Sequence, residues 1–211
     1  MTPASVAWLA ALLIVCANAG AGSLEATVST PDGKPVEDAA VVIEPVSGAV
    51  PKRRRTAAVE QRDREFFPYM TIVQTGSMVE FPNRDPIKHH VYSFSPAKIF
   101  EIKLYAGKPA QPVLFDKPGE VAVGCNIHDW MEAYILVVNS PYFAKTGSNG
   151  KALIRNVPAG HYRLRVWHPR QKAEPPLRDI EVRAAPVRLA METEVTPRVS
   201  KPKPPVESDK Y

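Results

Sequence analysis

Cysteine is nearly absent: the 211 residues hold two, Cys16 and Cys125. Cys16 falls inside an apolar run from Val6 to Ala17, followed by the small residues Asn18-Ala19-Gly20-Ala21. An apolar run of about twelve residues with an A-x-A site reads as a secretory signal and is too short to span a membrane. Its one departure is an n-region without Lys or Arg. The expected mature chain lacks residues 1–21, is periplasmic or secreted, has no transmembrane segment and keeps one cysteine. An internal disulfide is then excluded. A lone thiol in an oxidising compartment is a liability unless something occupies it, so Cys125 becomes a candidate metal ligand.

Helical periodicity is missing too. No window of 11–18 residues places apolar side chains at a 3.6 period. Proline is 22 of 211 residues, about twice the usual ~5%, and helix interiors reject it. Charge of one sign is scarce outside two segments. Residues 51–65 hold six basic and three acidic residues, and residues 196–211 hold four and two. These account for the whole net charge of +5. A nucleic-acid binder carries its basic charge across the folded surface, so that partner is excluded. An apolar content of 45% with 23% charged residues excludes a disordered or collagen-like chain.

What is present is strand signal. Segments 23–30, 39–44, 99–104, 120–124, 133–139, 152–155, 161–167, 180–183 and 187–191 alternate or are β-branched runs. Pro31-Asp32-Gly33-Lys34 and Asn149-Gly150 are turns. Segments 69–74 and 78–81 flank Thr75-Gly76-Ser77 as an expected hairpin. The pattern predicts an all-β sandwich. Segment 50–58 has four basic residues and no apolar face. It reads as an exposed connection, or as a docking patch for an acidic partner. The tail 196–211, rich in Pro and Lys, reads as extended and disordered.

The chemistry gathers in Gly124-Cys125-Asn126-Ile127-His128-Asp129-Trp130-Met131. Cys-x2-His-x2-Met, with His89-His90 upstream, supplies one thiolate, two imidazoles and one thioether. That is the donor set of a blue-copper site, with Cys and two His in a plane and a weak axial Met. Thiolate and thioether stabilise Cu(I), while imidazole suits both oxidation states. Zinc would favour more cysteine or histidine and no methionine.

Phe67-Pro68, Gly76, the run Val79-Glu80-Phe81-Pro82-Asn83-Arg84-Asp85, then His89, Lys117-Pro118-Gly119-Glu120 and Cys125, His128 and Met131 together resemble the cupredoxin pattern over residues 57–140. HHVYSFSPAK, GCNIHDWM and YRLRVWHP are similar to the cupredoxin-like periplasmic group named methylamine utilization proteins. The resemblance implies a Greek-key copper domain. Its H-x-V frame implies His89, Cys125, His128 and Met131 as ligands of one type 1 copper, with His90 beside them. Two positions depart from the pattern: His90 stands where Asn is usual, and Gly124 where an aromatic ring usually precedes the Cys. The stretches 26–36 and 146–167 resemble a carboxypeptidase-regulatory-like, or transthyretin-like, sandwich. This implies segments 22–50 and 141–195 as a flanking module, with the cupredoxin inserted in it or packed on it.

The expected function is electron carriage with no substrate transformed, so not an enzyme. The partner would be a dehydrogenase or cytochrome c, and amine oxidation is one setting. His128 is expected to expose a ring edge beside Trp130 as the exit for the electron. The alternatives are copper storage or delivery, and a structural β-sandwich with a vestigial site.

Overall fold

The computed structural model describes residues 21–109, 111–199 and 202–203. The segment read as an export signal lies outside them apart from Ala21. Among the described residues there is no helix. The chain opens with β1 (Gly22–Ser29) and β2 (Ala40–Pro45). It continues through β3 (Thr56–Ala58), β4 (Glu60–Arg62), β5 (Glu65–Phe67), β6 (Met70–Gln74), β7 (Ser77–Glu80), β8 (His89–Ser95), β9 (Lys98–Tyr105), β10 (Val113–Phe115), β11 (Gly119–Gly124) and β12 (Glu132–Val138). It closes with β13 (Phe143–Lys145), β14 (Lys151–Val157), β15 (Gly160–Trp167), β16 (Arg178–Val182) and β17 (Val187–Glu192).

Two groups of sheets form. In one, β14-β1-β17 faces β13-β2-β15-β16. Along β1 the residues Leu24, Ala26 and Val28 are buried, and Glu25 and Thr27 between them are exposed; period-2 alternation selects one face for the core. Leu24 and Val28 meet Val41, Ile43, Ile154 and Leu164 in that core. In the other group, β6-β12-β11-β8-β9 is the large sheet, with β10-β7-β3 and β4-β5 as smaller ones. Its core holds Val79, Phe81, Val91, Phe115, Val121 and Ile135.

A third apolar cluster joins the two groups. Strand β2 is apolar on both faces: Val41 and Ile43 point into its own sandwich, while Ala40 and Val42 meet Met70, Leu136 and Trp167. A strand covered on both faces reads as a continuous apolar run rather than an alternating one, which is how Ala40-Val41-Val42-Ile43 appears. Removing that junction would expose both faces, so the two groups support each other.

One expectation needs correction. Thr75-Gly76 is not a hairpin, because β6 pairs with β12 while β7 pairs with β10 and β3. The Thr75 amide donates to the Val138 carbonyl (2.8 Å) and the Gly76 amide to the Phe115 carbonyl (2.7 Å). Gly76 takes φ 88°, which glycine tolerates without cost, so the chain turns a corner between sheets. Where it is described, the stretch after β17 touches the folded surface. The Thr196 amide donates to the Arg170 carbonyl (3.0 Å). Arg198 stacks 4.1 Å from the Tyr69 ring centre, and Lys203 pairs with Glu65 at 2.6 Å. Lys203 meets the Glu65 carboxylate and Arg198 the Tyr69 ring, so this stretch lies along the surface.

His168 directly follows β15 and is buried rather than exposed. Burial, then the nearby Arg170 charge, push its pKa down to about 4 from 6.5. The neutral ring is therefore the form that folds. Its contribution to stability is complete above pH 6.5 and disappears as pH falls towards 4, because the unfolded chain binds the proton first. The expected loss is on the order of 3 kcal/mol. Denaturant midpoints measured from pH 7 to 4 should fall for the wild type and flatten in His168→Gln.

Candidate metal centre

Strand alternation aims the first candidate ligand. On β8, His89, Val91 and Ser93 point inward and are fully buried, while Phe94 points out and Tyr92 is only partly covered. β11 ends at Gly124, so Cys125 emerges from the central part of the same sheet. The loop from Cys125 to Met131 then folds back, with the Met131 amide donating to the His128 carbonyl at 2.9 Å. This turn returns His128 to Cys125, three residues earlier. Met131 is buried in the same apolar cluster as Cys125.

The result is a tight group of donors. His89 Nδ1 lies 3.1 Å from His128 Nδ1, and Cys125 Sγ lies 3.8 Å from His128 Nδ1. The ligand atoms of these three residues all lie within 4.8 Å of one another. Donors that share one ion at about 2.0–2.3 Å lie at most about 4.6 Å apart, a span that the 3.1 and 3.8 Å separations to His128 Nδ1 meet. Among the described residues this is the one His, Cys, Asp or Glu group that could hold a metal. His90 is not part of it: its Nε2 lies 2.9 Å from Glu101 Oε1, away from the cluster. Two imidazole Nδ1 atoms and a buried thiol beside a buried thioether residue fit copper better than a hard cation.

A carboxylate sets the His89 ring. Asp85, four residues earlier, places Oδ2 2.6 Å from His89 Nε2. A carboxylate only accepts, so Nε2 carries the hydrogen and Nδ1 presents its lone pair to the cluster. Burial pushes the Asp85 carboxyl up, but the Arg64 amide, the His89 ring and the Asp63 amide outweigh it and hold its pKa below the ordinary carboxylate value. Those amides come from the turn between β4 and β5. The Asp63 N–H donates to Oδ1 (2.7 Å) and the Arg64 N–H to Oδ2 (2.9 Å). Both turn residues are non-glycine with positive φ, 56° and 57°. Such a backbone persists only where its surroundings hold it. The Asn83 side chain accepts from the Asp85 amide (2.9 Å) and donates to the Ile87 and Tyr105 carbonyls, which fixes the connecting loop.

The same turn reaches the other imidazole. Trp130 Nε1 donates to the Arg64 carbonyl at 3.0 Å, and the Trp130 ring lies 5.0 Å from that of His128. The expectation of a solvent-exposed His128 edge is therefore corrected: Trp130 is beside it, but His128 is only 2% exposed. Tethered to Arg64, Trp130 closes over the ring. Tyr92 is a second neighbour absent from the sequence reading. It pairs with Gly124, and a Cβ at position 124 would come 3.1 Å from the Tyr92 ring. Glycine before Cys125 makes room for a ring that arrives from the adjacent strand. The signal for Asp85 was its i,i+4 spacing from His89; Tyr92 and Arg64 left none, since Tyr92 meets Gly124 only across the β8–β11 pairing and Arg64 meets Trp130 from a turn 66 residues earlier.

No family model matches the chain, and no curated protein matches it. Among solved structures it is similar in part to a copper-containing nitrite reductase from Thermus scotoductus SA-01, at 24% identity over 44% of this chain and 25% of that one, with TM-score 0.37. It is similar to a purple cupredoxin from Nitrosopumilus maritimus at 17% identity, over 38% of this chain and 98% of that one, with TM-score 0.35. It is likewise similar to the reduced Cu(I) form of an amicyanin variant at 17% identity, over 46% and 97%, with TM-score 0.36. The chain spans about a quarter of the nitrite reductase's length.

Asp85→Asn keeps the size but puts an NH2 against a backbone amide or against the His89 ring. Isothermal titration with copper should show Cu(II) binding weakened by about tenfold or more, with folding retained by circular dichroism. Unchanged affinity would remove the orienting role.

Proposed function

We propose that the chain is an exported mononuclear copper protein that carries electrons in a periplasmic redox chain. The buried His89, Cys125 and His128 cluster carries this reading. His89 Nδ1, His128 Nδ1 and Cys125 Sγ would hold copper, with the buried Met131 thioether as a further, weaker donor. Bound copper supplies a one-electron couple between Cu(I) and Cu(II). The residues supply the rest. Asp85 holds the His89 tautomer, the loop turn holds His128 against Cys125, and the apolar core around Cys125 and Met131 excludes water.

Four donors leave no open position for a substrate, so the reading assigns no bond-making step and no enzyme activity. Burial of all four side chains suits a retained ion better than one passed on to another protein. The reading divides the chain into a cupredoxin-like module, 57–140, carried by a β-sandwich of 22–50 and 141–195. The similarity of GCNIHDWM and YRLRVWHP to methylamine utilization proteins supports amine oxidation as the setting, with a dehydrogenase or cytochrome c as partner.

Copper loading should give an intense visible band from thiolate-to-copper charge transfer. Cys125→Ala should abolish the band and leave the strand signal in circular dichroism, because no disulfide depends on it. A retained band would overturn the assignment. His90→Ala, in contrast to His89→Ala, should keep both the band and the copper stoichiometry, since His90 turns away to Glu101.

A further inference from the structure

We infer that the cleft between the two sheet groups binds an acidic, extended peptide segment of a partner protein. The inference stands apart from the copper reading, because none of its residues touches the metal cluster. The cleft has a volume of about 580 Å³ and carries Arg53 and Arg55 on one wall and Arg155 on the other. No Asp or Glu lines it. Among the described residues these three guanidinium groups have no carboxylate at ion-pair distance; Arg53 instead stacks on the Tyr142 ring at 5.4 Å. Arg170, Arg178 and Arg198 also lack a carboxylate, but each is engaged singly, by the Tyr69 ring or by the Ala190 carbonyl. Three guanidinium groups around one cleft that no carboxylate lines favour an anionic partner there and raise its association rate.

The arginines are held in position. Segment 51–55 is exposed, yet it is tied to the copper-bearing group through buried Gln74. The Arg53 amide donates to Gln74 Oε1 at 2.6 Å, and Gln74 Nε2 donates to the Pro51 and Asn139 carbonyls, each at 2.8 Å. Fixing the backbone in advance reduces the ordering cost of binding.

Shape distinguishes a peptide from a small anion. The cleft is far larger than one carboxylate or phosphate, and its floor includes the apolar Ile72, Phe143 and Leu153. Apart from Ser77 at the start of β7, the strand residues that line it belong to β3, β6, β13 and β14, each the outermost strand of its sheet. An outermost strand has one backbone edge without a strand partner, and an extended peptide can add to it by main-chain hydrogen bonds. Alternating acidic and apolar side chains would then reach the arginines and the floor on opposite faces.

The test uses the whole protein and two fluorescein-labelled hexapeptides of equal charge, alternating Glu-Val and alternating Glu-Pro. Fluorescence anisotropy should show saturable binding of the Glu-Val peptide that weakens as salt is raised. Arg55→Gln and Arg155→Gln, on opposite walls, should each weaken it by about tenfold, with unchanged melting curves. The Glu-Pro peptide lacks main-chain donors at alternate positions and should bind much more weakly. Equal binding of the two peptides would reduce the cleft to a general anion surface and overturn the inference. So would indifference to both substitutions, or self-association of the protein that Arg155→Gln abolishes, which would make a second copy the occupant.

Discussion

The hydrogen bond between the Asp85 carboxylate and His89 Nε2 is the constraint on which the rest of the centre depends. A free imidazole can present either nitrogen, protonated or not. With an acceptor fixed at Nε2, one tautomer remains and its lone pair faces Cys125 and His128. The carboxylate is in turn fixed by two amides of a strained turn, and that turn's carbonyl holds Trp130. One two-residue turn thus helps to position both imidazoles, one through Asp85 and the other through Trp130.

The burial of His128 follows from this arrangement. Its cover is Trp130, whose indole N–H would otherwise need water. Satisfying it with the Arg64 carbonyl lets the ring pack beside His128, tilted at 53° to it. On the far side of the sheet, Tyr92 covers Gly124. The ring that the motif lacks before Cys125 is present in space, supplied by a neighbouring strand.

The two sheet groups are mutually dependent for a simple packing reason. Strand β2 has apolar residues on both faces, and the outer face of β6 and β12 offers Met70, Ile72, Leu136 and Val138. Neither face tolerates water over that area. Joining them hides both, and where the two groups diverge at one side the arginine-lined cleft remains.

The sequence by itself determined what depends on neighbours along the chain. The absence of helical periodicity and the excess of proline decided the all-β class. The spacing Cys125-x2-His128-x2-Met131 is local, so a single turn closes it. The Asp85–His89 pair was visible as an interval but had no assigned role. Tertiary structure decided the remainder. Segments 69–74 and 78–81 are adjacent in sequence, yet hydrogen bonds to Val138 and Phe115 send them to different sheets. Both His89 and His90 are buried, and which of them meets Cys125 depends on their partners, Asp85 for His89 and Glu101 for His90. Trp130 covers His128 only because a carbonyl from Arg64, 66 residues away, accepts its hydrogen. Tyr69 and Glu65 hold Arg198 and Lys203 against the surface, a pairing that no local rule contains. In each case the deciding partner is distant in sequence, and the gain in free energy appears only after the chain has folded.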